Sequence, residues 1–201
     1  MREPLPLALI ALSIAPLVLL MSTSYAKIAT VLSILRSALG GEGLPGTGIV
    51  VALSAALTLA TMAPVGTTIL ASLDGSGEPS VGAVVGAARE PRRTFMEKNS
   101  SPREIERFAA LAKKTRADAA PSDFSVVVPA FVVTELEEAL TLGAAILLPF
   151  LVLDLLVANV LAALGTQNLS ATQVSFPLKL LLFLSVDGLG VLSRALVASY
   201  V

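Results

Sequence analysis

The chain has 201 residues, of which 55% are hydrophobic and 14% are charged, and its formal net charge is −1. Charged residues make up roughly a quarter of an ordinary soluble domain, so this composition is typical of a membrane-associated protein. The chain contains neither Cys nor His, which excludes disulfides, thiol or imidazole catalysis and zinc sites of the usual kind. The balanced charge gives no general attraction to nucleic acid.

The first apolar segment, residues 1–39, begins like a secretory signal peptide, with Arg2 ahead of an apolar run. The helical pattern nevertheless continues through Leu35 and ends at a pair of glycines that begins with Gly40. We interpret the segment as a retained helix that bends near Pro16, because proline kinks a helix. A cleaved signal is the alternative interpretation.

A turn-forming stretch at residues 40–48 separates this helix from a second apolar segment, residues 49–73. The second segment is rich in Ser, Thr and Ala, and Pro64 and Gly66 interrupt it. Small residues let helices approach closely, so we expect this segment to pack inside an assembly.

Residues 74–123 differ in kind, since they hold 17 of the 29 charged residues, nine basic and eight acidic. We predict a short helix at 81–88 and an amphipathic helix that starts at Pro102 and has Leu111 on its apolar face. The segment is interpreted as a solvated connector. Its acidic residues are interleaved with the basic ones and it has no aromatic platform, so nucleic-acid binding is not expected.

Residues 129–165 form the longest apolar stretch, and its second part is long enough to cross a bilayer. Pro149 and Asp154 lie within it, and Asn159 follows. A lipid-facing span avoids an unpaired carboxylate, so we predict a kinked helix that packs against partner helices. A buried helix of a soluble core is the alternative.

A tight acidic cluster, Glu135, Glu137 and Glu138, lies near the start of this stretch. Two of these carboxylates would be one helical turn apart, a spacing that allows cation binding. Following Thr134, the cluster more often marks a polar helix start that the helix dipole favours. We therefore predict no metal site.

A polar linker is predicted at residues 166–177, followed by a last apolar segment, residues 178–201. Isolated charges in apolar surroundings need partners. The acidic candidates are Glu135, Asp154 and Asp187, and the basic ones are Lys179 and Arg194. Among these, we predict a pair between Glu135 and Lys179, within one chain or between neighbouring copies.

The predicted organisation is all-α, with long kinked apolar helices in hairpins and a small polar helical insertion. Residues 1–73 form an N-terminal helical hairpin, residues 74–123 a polar helical segment, and residues 124–201 a C-terminal helical hairpin.

Ordered blocks along the chain resemble one family. Residues 34–40, ILRSALG, are similar to its LLRNALG motif, and residues 148–154, LPFLVLD, are similar to its LPFLVID motif. Further matching blocks are residues 57–58, 62–65, 95–96, 129–131, 134–136, 176–183 and 186–188. Over nearly the whole chain, the sequence thus resembles the SctR/FliP family of type III secretion export-apparatus proteins.

The resemblance implies a non-enzymatic subunit without a cofactor. Such subunits form a homo-pentamer that joins small SctS/FliQ-like and SctT/FliR-like companions in a helical cone, which is the entry pore for unfolded protein substrates. Larger export-gate subunits and membrane lipid are further implied partners. The assembly belongs to the bacterial inner membrane, largely on its periplasmic side. Short length and no convincing cleavable signal favour the injectisome branch over the flagellar one.

The resemblance also implies a shape suited to a ring or helical oligomer, residues 74–123 facing the periplasm, and a pore loop at residues 165–177. It places the pore constriction at Gly165, Thr166, Gln167, Asn168 and Leu169. Relatives have a methionine-rich loop here, which suits a deformable apolar seal. Thr, Gln and Asn would instead give a polar constriction that holds water. A second departure is at residues 187–189, where Asp-Gly-Leu replaces the family's DGW and removes a large packing group.

Two other function classes have less support in the sequence. A small secondary transporter would use Asp154 and Glu135 as proton or ion sites, but the inverted repeats typical of such transporters are not found in the sequence. A membrane-embedded hydrolase has little support without His, Cys or a nucleophile motif.

Overall fold

The structure, a computed structural model, describes residues 13, 18, 20–40, 45–73, 80–166 and 169–200, without the side chain of Val81. All regular secondary structure in these residues is α-helical, which confirms the predicted all-α class. Their seven helices are α1 Tyr25–Leu39, α2 Thr47–Leu73, α3 Val81–Lys98, α4 Pro102–Thr115, α5 Phe124–Ala163, α6 Ala171–Ser185 and α7 Gly188–Ala198.

The first apolar segment is divided where the sequence predicted continuity. Residues 22–24 form a turn, and α1 begins at Tyr25. In this turn the hydroxyl of Ser24 is hydrogen-bonded to that of Thr61, so a buried polar contact accompanies the break. The predicted bend near Pro16 lies outside the described residues.

Helix α5 is a single element of 40 residues, and the acidic cluster is inside it. The predicted helix start after Thr134 is therefore wrong. The Thr134 hydroxyl donates to the carbonyl of Ala130, one turn earlier, as a residue within a helix does. It also accepts the backbone N–H of Ser101, so tertiary contacts rather than a helix end satisfy this side chain.

Three other boundaries differ from expectation. Helix α3 runs to Lys98 and includes Pro91, so the helix predicted at 81–88 is more than twice as long. The predicted linker at 166–177 is wrong beyond Ser170, because α6 begins at Ala171 and contains Pro177. The predicted α4 start at Pro102 is correct, but Leu111 is exposed rather than covered.

The chain divides into two compact units. The first contains residues 1–26 and 58–136, and the second contains residues 27–57 and 137–201. In the first unit, the rings of Phe95 and Phe131 pack edge to face with centroids 5.8 Å apart. Met96 is fully buried in the same unit. The three-segment organisation predicted from composition stays a prediction.

The second unit has its core around α1. Apolar residues recur on one face of α1 at a spacing of three and four positions, which is the pattern of a buried helical face. That face packs with residues of α2, α5 and α7. The buried cluster is Ile28, Val31, Leu32, Leu35, Ala38, Leu39, Val50, Ala139, Phe150, Leu192 and Leu196.

Two of the described helices, α2 and α5, are long and apolar enough to cross a membrane. If the bent pair of α6 and α7 is taken as a single span, the number of candidate membrane spans rises to three. Only 17% of the most apolar 18-residue window of α2 and 11% of that of α5 is buried. Most of this apolar surface is therefore available to lipid or to other proteins.

Candidate functional site

The predicted constriction begins with a tight turn at the end of α5. Gly165 has a φ of +70°, in the left-handed region that glycine adopts without strain. The N–H of Gly165 donates to the carbonyl of Ala162 at 3.1 Å, and the N–H of Thr166 donates to that of Leu161 at 3.1 Å. This pair of bonds is the Schellman motif, which satisfies carbonyls at a helix end.

The remaining residues of the constriction are only partly described. Thr166 is exposed, and its hydroxyl donates to the carbonyl of Leu161. Gln167 and Asn168 lie outside the described residues. Leu169 is exposed, and the next residue, Ser170, borders a cavity of about 270 Å³ together with Gly40, Thr172, Gln173 and Phe176. A role of this loop in a pore stays a prediction.

A buried ion pair connects α5 and α6. Lys179 is 2% exposed, and its ammonium donates to Asp154 Oδ2 at 2.7 Å. It also donates to the carbonyl of Ala38 at 2.9 Å, near the C-terminal end of α1. The hydroxyl of Ser175 donates to Asp154 Oδ1, so both carboxylate oxygens are used. One lysine thus connects α1, α5 and α6.

The other predicted charges are placed as follows. Asp187 and Arg194 form an exposed pair at 3.0 Å across the first turns of α7. Glu135 is fully buried in α5. Lys179 is paired with Asp154 in this chain. The predicted pair between Glu135 and Lys179, within one chain or between neighbouring copies, stays a prediction.

A second buried lysine was missed by sequence analysis. Lys27 is 1% exposed, and its ammonium lies 2.7 Å from Glu138 Oε2. It also lies 3.3 Å from the hydroxyl of Ser199 and 4.2 Å from the centroid of the Tyr200 ring. The sequence signal was available: Lys27 precedes Val31 by four residues and therefore lies on the apolar face of α1.

Charges in the first unit are arranged differently, mostly as surface pairs on single helices. The carboxylate of Glu104 is buried and accepts a 2.7 Å hydrogen bond from Arg107. Burial lowers the pKa of Arg92, whereas the hydrogen bond to Glu90 raises the pKa of Arg93. A guanidinium stays protonated in proteins, so both remain cations.

The described residues contain no group of three or more acidic side chains that could hold a metal ion. What the site offers instead is structural. Two ammonium groups in the apolar second unit are each satisfied by acceptors of the chain itself. Such groups fix how helices meet.

Comparison with known proteins gives these features a context. The FliP family model matches residues 8–196. "Virulence protein YscR" of Salmonella typhimurium is 36% identical over 96% of this chain and 94% of its own length. "Hypersensitivity response secretion protein HrcR" of Ralstonia nicotianae is 34% identical over 95% and 94%. "Flagellar biosynthetic protein FliP" of Agrobacterium fabrum is 34% identical over 96% and 81%. The chain therefore belongs to the FliP family.

Proposed function

We propose that the chain is a subunit of a type III secretion export gate and forms part of the entry pore for unfolded proteins at the inner membrane. The observation that carries the proposal is the near end-to-end match with proteins named for secretion and translocation, which cover 94–95% of this chain at 34–36% identity. Its role is to shape and position a channel rather than to catalyse a reaction.

The assembly that we propose is a homo-pentamer with SctS/FliQ-like and SctT/FliR-like companions, in contact with larger export-gate subunits and lipid. Its support is the large exposed apolar surface on α2 and α5, which a solitary chain in water would not tolerate. We place the polar residues 74–123 on the periplasmic side. Their surface ion pairs, such as Glu90 with Arg93, suit an aqueous environment.

A secondary transporter is not supported. Such a protein would use Asp154 as a site that loads and releases a proton or an ion. Asp154 instead accepts from Ser175 and is paired with Lys179, which accounts for its carboxylate structurally. No relative named above is called a transporter of small solutes.

The proposed function is tested in the organism that encodes the chain. Deleting the gene should abolish secretion of type III substrates into the medium, and a plasmid copy should restore it. Loss of injectisome substrates with normal motility would support the injectisome branch, which we favour, and loss of motility would support the flagellar one. Unchanged secretion and motility in the deletion strain would overturn the proposal.

The constriction is proposed to be a ring of polar loops. Thr166 is exposed at the end of α5, and several converging copies would present hydroxyl and amide groups to water. A polar constriction holds water more readily than an apolar one of the same radius. We expect the closed complex in planar bilayers to conduct small ions, and the replacements Thr166→Met and Asn168→Met to lower that resting conductance. Unchanged conductance would show that the loop does not line the pore.

A further inference from the structure

The amphipathic helix α4 carries an exposed basic stripe. Its members are Arg103, Arg107, Leu111 and Lys114, which follow one another at spacings of four, four and three residues and therefore lie on one face of the helix. All four are exposed. The acid that contacts both arginines is Glu104, whose own carboxylate is buried. The basic stripe thus carries more positive than negative charge.

Lys114 is the cation of the basic stripe that has no acidic partner in the part of the chain that the structure describes. One turn before it, Leu111 is 54% exposed and borders a cavity of about 380 Å³ together with Phe108 and Thr115. This end of α4 can therefore receive an apolar side chain and a carboxylate at the same time.

Helix α5 carries an exposed stripe of the opposite charge. The acidic stripe consists of Glu137, Leu140, Ala144 and Leu148, at spacings of three, four and four residues, and all four are exposed. Among the described residues, the carboxylate of Glu137 has no cationic partner. Any surface that covers Leu140 and Leu148 would also take Glu137 out of water, which is costly for an unpaired charge. A covering partner must therefore supply a cation.

The acidic stripe borders an open groove between α5 and α1. Leu140 and Leu147 form one side of this cavity of about 530 Å³, and Ala29 and Ser33 are among the residues of α1 on the other side. These α1 side chains are small, so they let a side chain from another helix approach closely. The groove can take an apolar side chain the size of leucine.

The two stripes match in spacing as well as in charge. Lys114 follows Leu111 by three residues, and Glu137 precedes Leu140 by three residues. Each charge is thus about one helical turn from its leucine. When the two helices run antiparallel with Leu111 beside Leu140, Lys114 and Glu137 face each other. Both stripes are exposed in the single chain, so each is available to another copy.

We propose that α4 of one copy packs antiparallel on α5 of a second copy, with Leu111 in the groove beside Leu140 and Lys114 paired with Glu137. The inference rests on the homo-pentamer of the proposed function and names the contact between its copies. Because the two stripes are different surfaces, every copy offers one stripe to each neighbour. Such a contact passes from copy to copy and builds a ring or a helical assembly, whereas a contact between identical surfaces ends at a dimer.

Cross-linking between copies tests this contact, and the absence of Cys from the chain makes each introduced thiol unique within it. Two full-length copies with different tags, one carrying Lys114→Cys and the other Glu137→Cys, are produced together in the organism that encodes the chain. Its membranes are then treated with a short bismaleimide. We expect a cross-linked dimer that carries both tags. A chain with both substitutions should give a ladder of larger products, and neither substitution alone should cross-link.

Lys113→Cys is the matched control for the basic stripe. Lys113 is also exposed but lies about 100° around α4 from Lys114, so it should cross-link to Glu137→Cys only weakly. Charge reversal provides a second readout, with the cross-link formed between Leu111→Cys and Leu140→Cys. Lys114→Glu should lower the cross-linked fraction by about tenfold, because like charges then meet. Adding Glu137→Lys should restore the fraction, because the pair is formed again with its charges exchanged.

The contact would be overturned by the absence of a dimer with both tags, or by cross-linking from Lys113→Cys as strong as that from Lys114→Cys. Cross-linking of Lys114→Cys to itself would also overturn it, because identical surfaces would then meet. Native mass spectrometry of the same preparation counts the copies independently. A pentamer without the cross-link would overturn this contact alone. Unchanged secretion in the deletion strain would overturn the proposed function and leave a cross-linked contact standing.

Discussion

Lys27 and Lys179 are two buried ammonium groups at opposite ends of the same helix, α1, and they are stabilised differently. Each side chain is at most 3% exposed, and each ammonium lies 2.7 Å from a carboxylate oxygen. Lys179 also donates to the carbonyl of Ala38, whereas the further contacts of Lys27 include a hydroxyl and an aromatic face. Burial and ion-pair distance alone therefore do not distinguish them.

The direction of α1 distinguishes the Lys27 site from the Lys179 site. The peptide dipoles of α1 place partial positive charge at its start, near Lys27, and partial negative charge at its end, near Ala38. The Lys179 ammonium thus gains from the dipole and the Lys27 ammonium loses. A ring face at 4.2 Å and a half-exposed carboxylate are among the groups that compensate Lys27. The comparison predicts a ranking of mutational effects.

The largest effect is expected for Lys179→Met. The substitution keeps the apolar stem but leaves Asp154 without its cation and Ala38 without a donor. Breaking a buried pair by removing one partner typically costs about 3–5 kcal/mol of unfolding free energy. Unfolding in mixed detergent micelles, followed by circular dichroism, would measure it.

The control for that substitution removes the other charge as well. Lys179→Met combined with Asp154→Leu should recover part of the loss, because no buried charge is then left alone. Exposed ion pairs contribute less than about 1 kcal/mol to the free energy of unfolding. If Lys179→Met lost no more than that, the pair of Lys179 with Asp154 would not stabilise the fold as a buried pair does.

Lys27→Met should have the next largest effect, a loss of about 1.5–3 kcal/mol in unfolding free energy, which is typical of hydrogen bonds to charged groups. The loss should be smaller than for Lys179→Met because removing a cation from the first turn of α1 relieves its unfavourable dipole interaction. Lys27→Arg, which keeps the charge, is the matched control. A larger loss for Lys27→Met than for Lys179→Met would reverse the comparison.

The same two lysines show how far sequence reasoning reaches. Lys179 was singled out because a cation surrounded by Leu residues needs a partner, and that argument is local. Lys27 was not singled out, although its spacing from Val31 places it on the apolar face of α1. Its contacts with Ser199 and Tyr200, more than 170 positions away, are not contained in any local pattern.

The helices show the same limit. Long apolar runs were enough to predict α2 and α5, since a single run of that length satisfies its own backbone groups in lipid only as a helix. The boundary inferred at the acidic cluster failed, because Glu138 is accommodated within α5 by the ammonium of Lys27. Likewise, the polar composition of residues 166–177 suggested a linker, but residues 171–177 lie within α6.

A smaller effect is expected between the two lysine sites, where α1 meets α5 without charges. A Cβ at Gly143 would lie 2.3 Å from Ile34 Cδ1, so Gly143→Ala must displace that methyl group. We expect a loss of about 1–2 kcal/mol, towards the low end for overpacking, because the atom is the far end of a flexible side chain. Gly143→Ala with Ile34→Val, which deletes that methyl, should regain most of it. If the double variant regained no unfolding free energy, the contact between residue 143 and Ile34 would not be the source of the strain.

The smallest effect is expected for Arg194→Met, which breaks the exposed pair with Asp187 at the start of α7. Both side chains are about 70% exposed at a separation of 3.0 Å, so water solvates each charge in the absence of the other. Exposed pairs of this kind contribute about 0.5 kcal/mol or less in most cases, and salt screens them. The difference between wild type and Arg194→Met should therefore vanish in high salt, whereas the Lys179→Met difference should persist because its pair is buried. A salt-insensitive loss at Arg194 as large as that at Lys27 would mean that exposure does not separate these ion pairs, and the contrast between buried and exposed cations would fail.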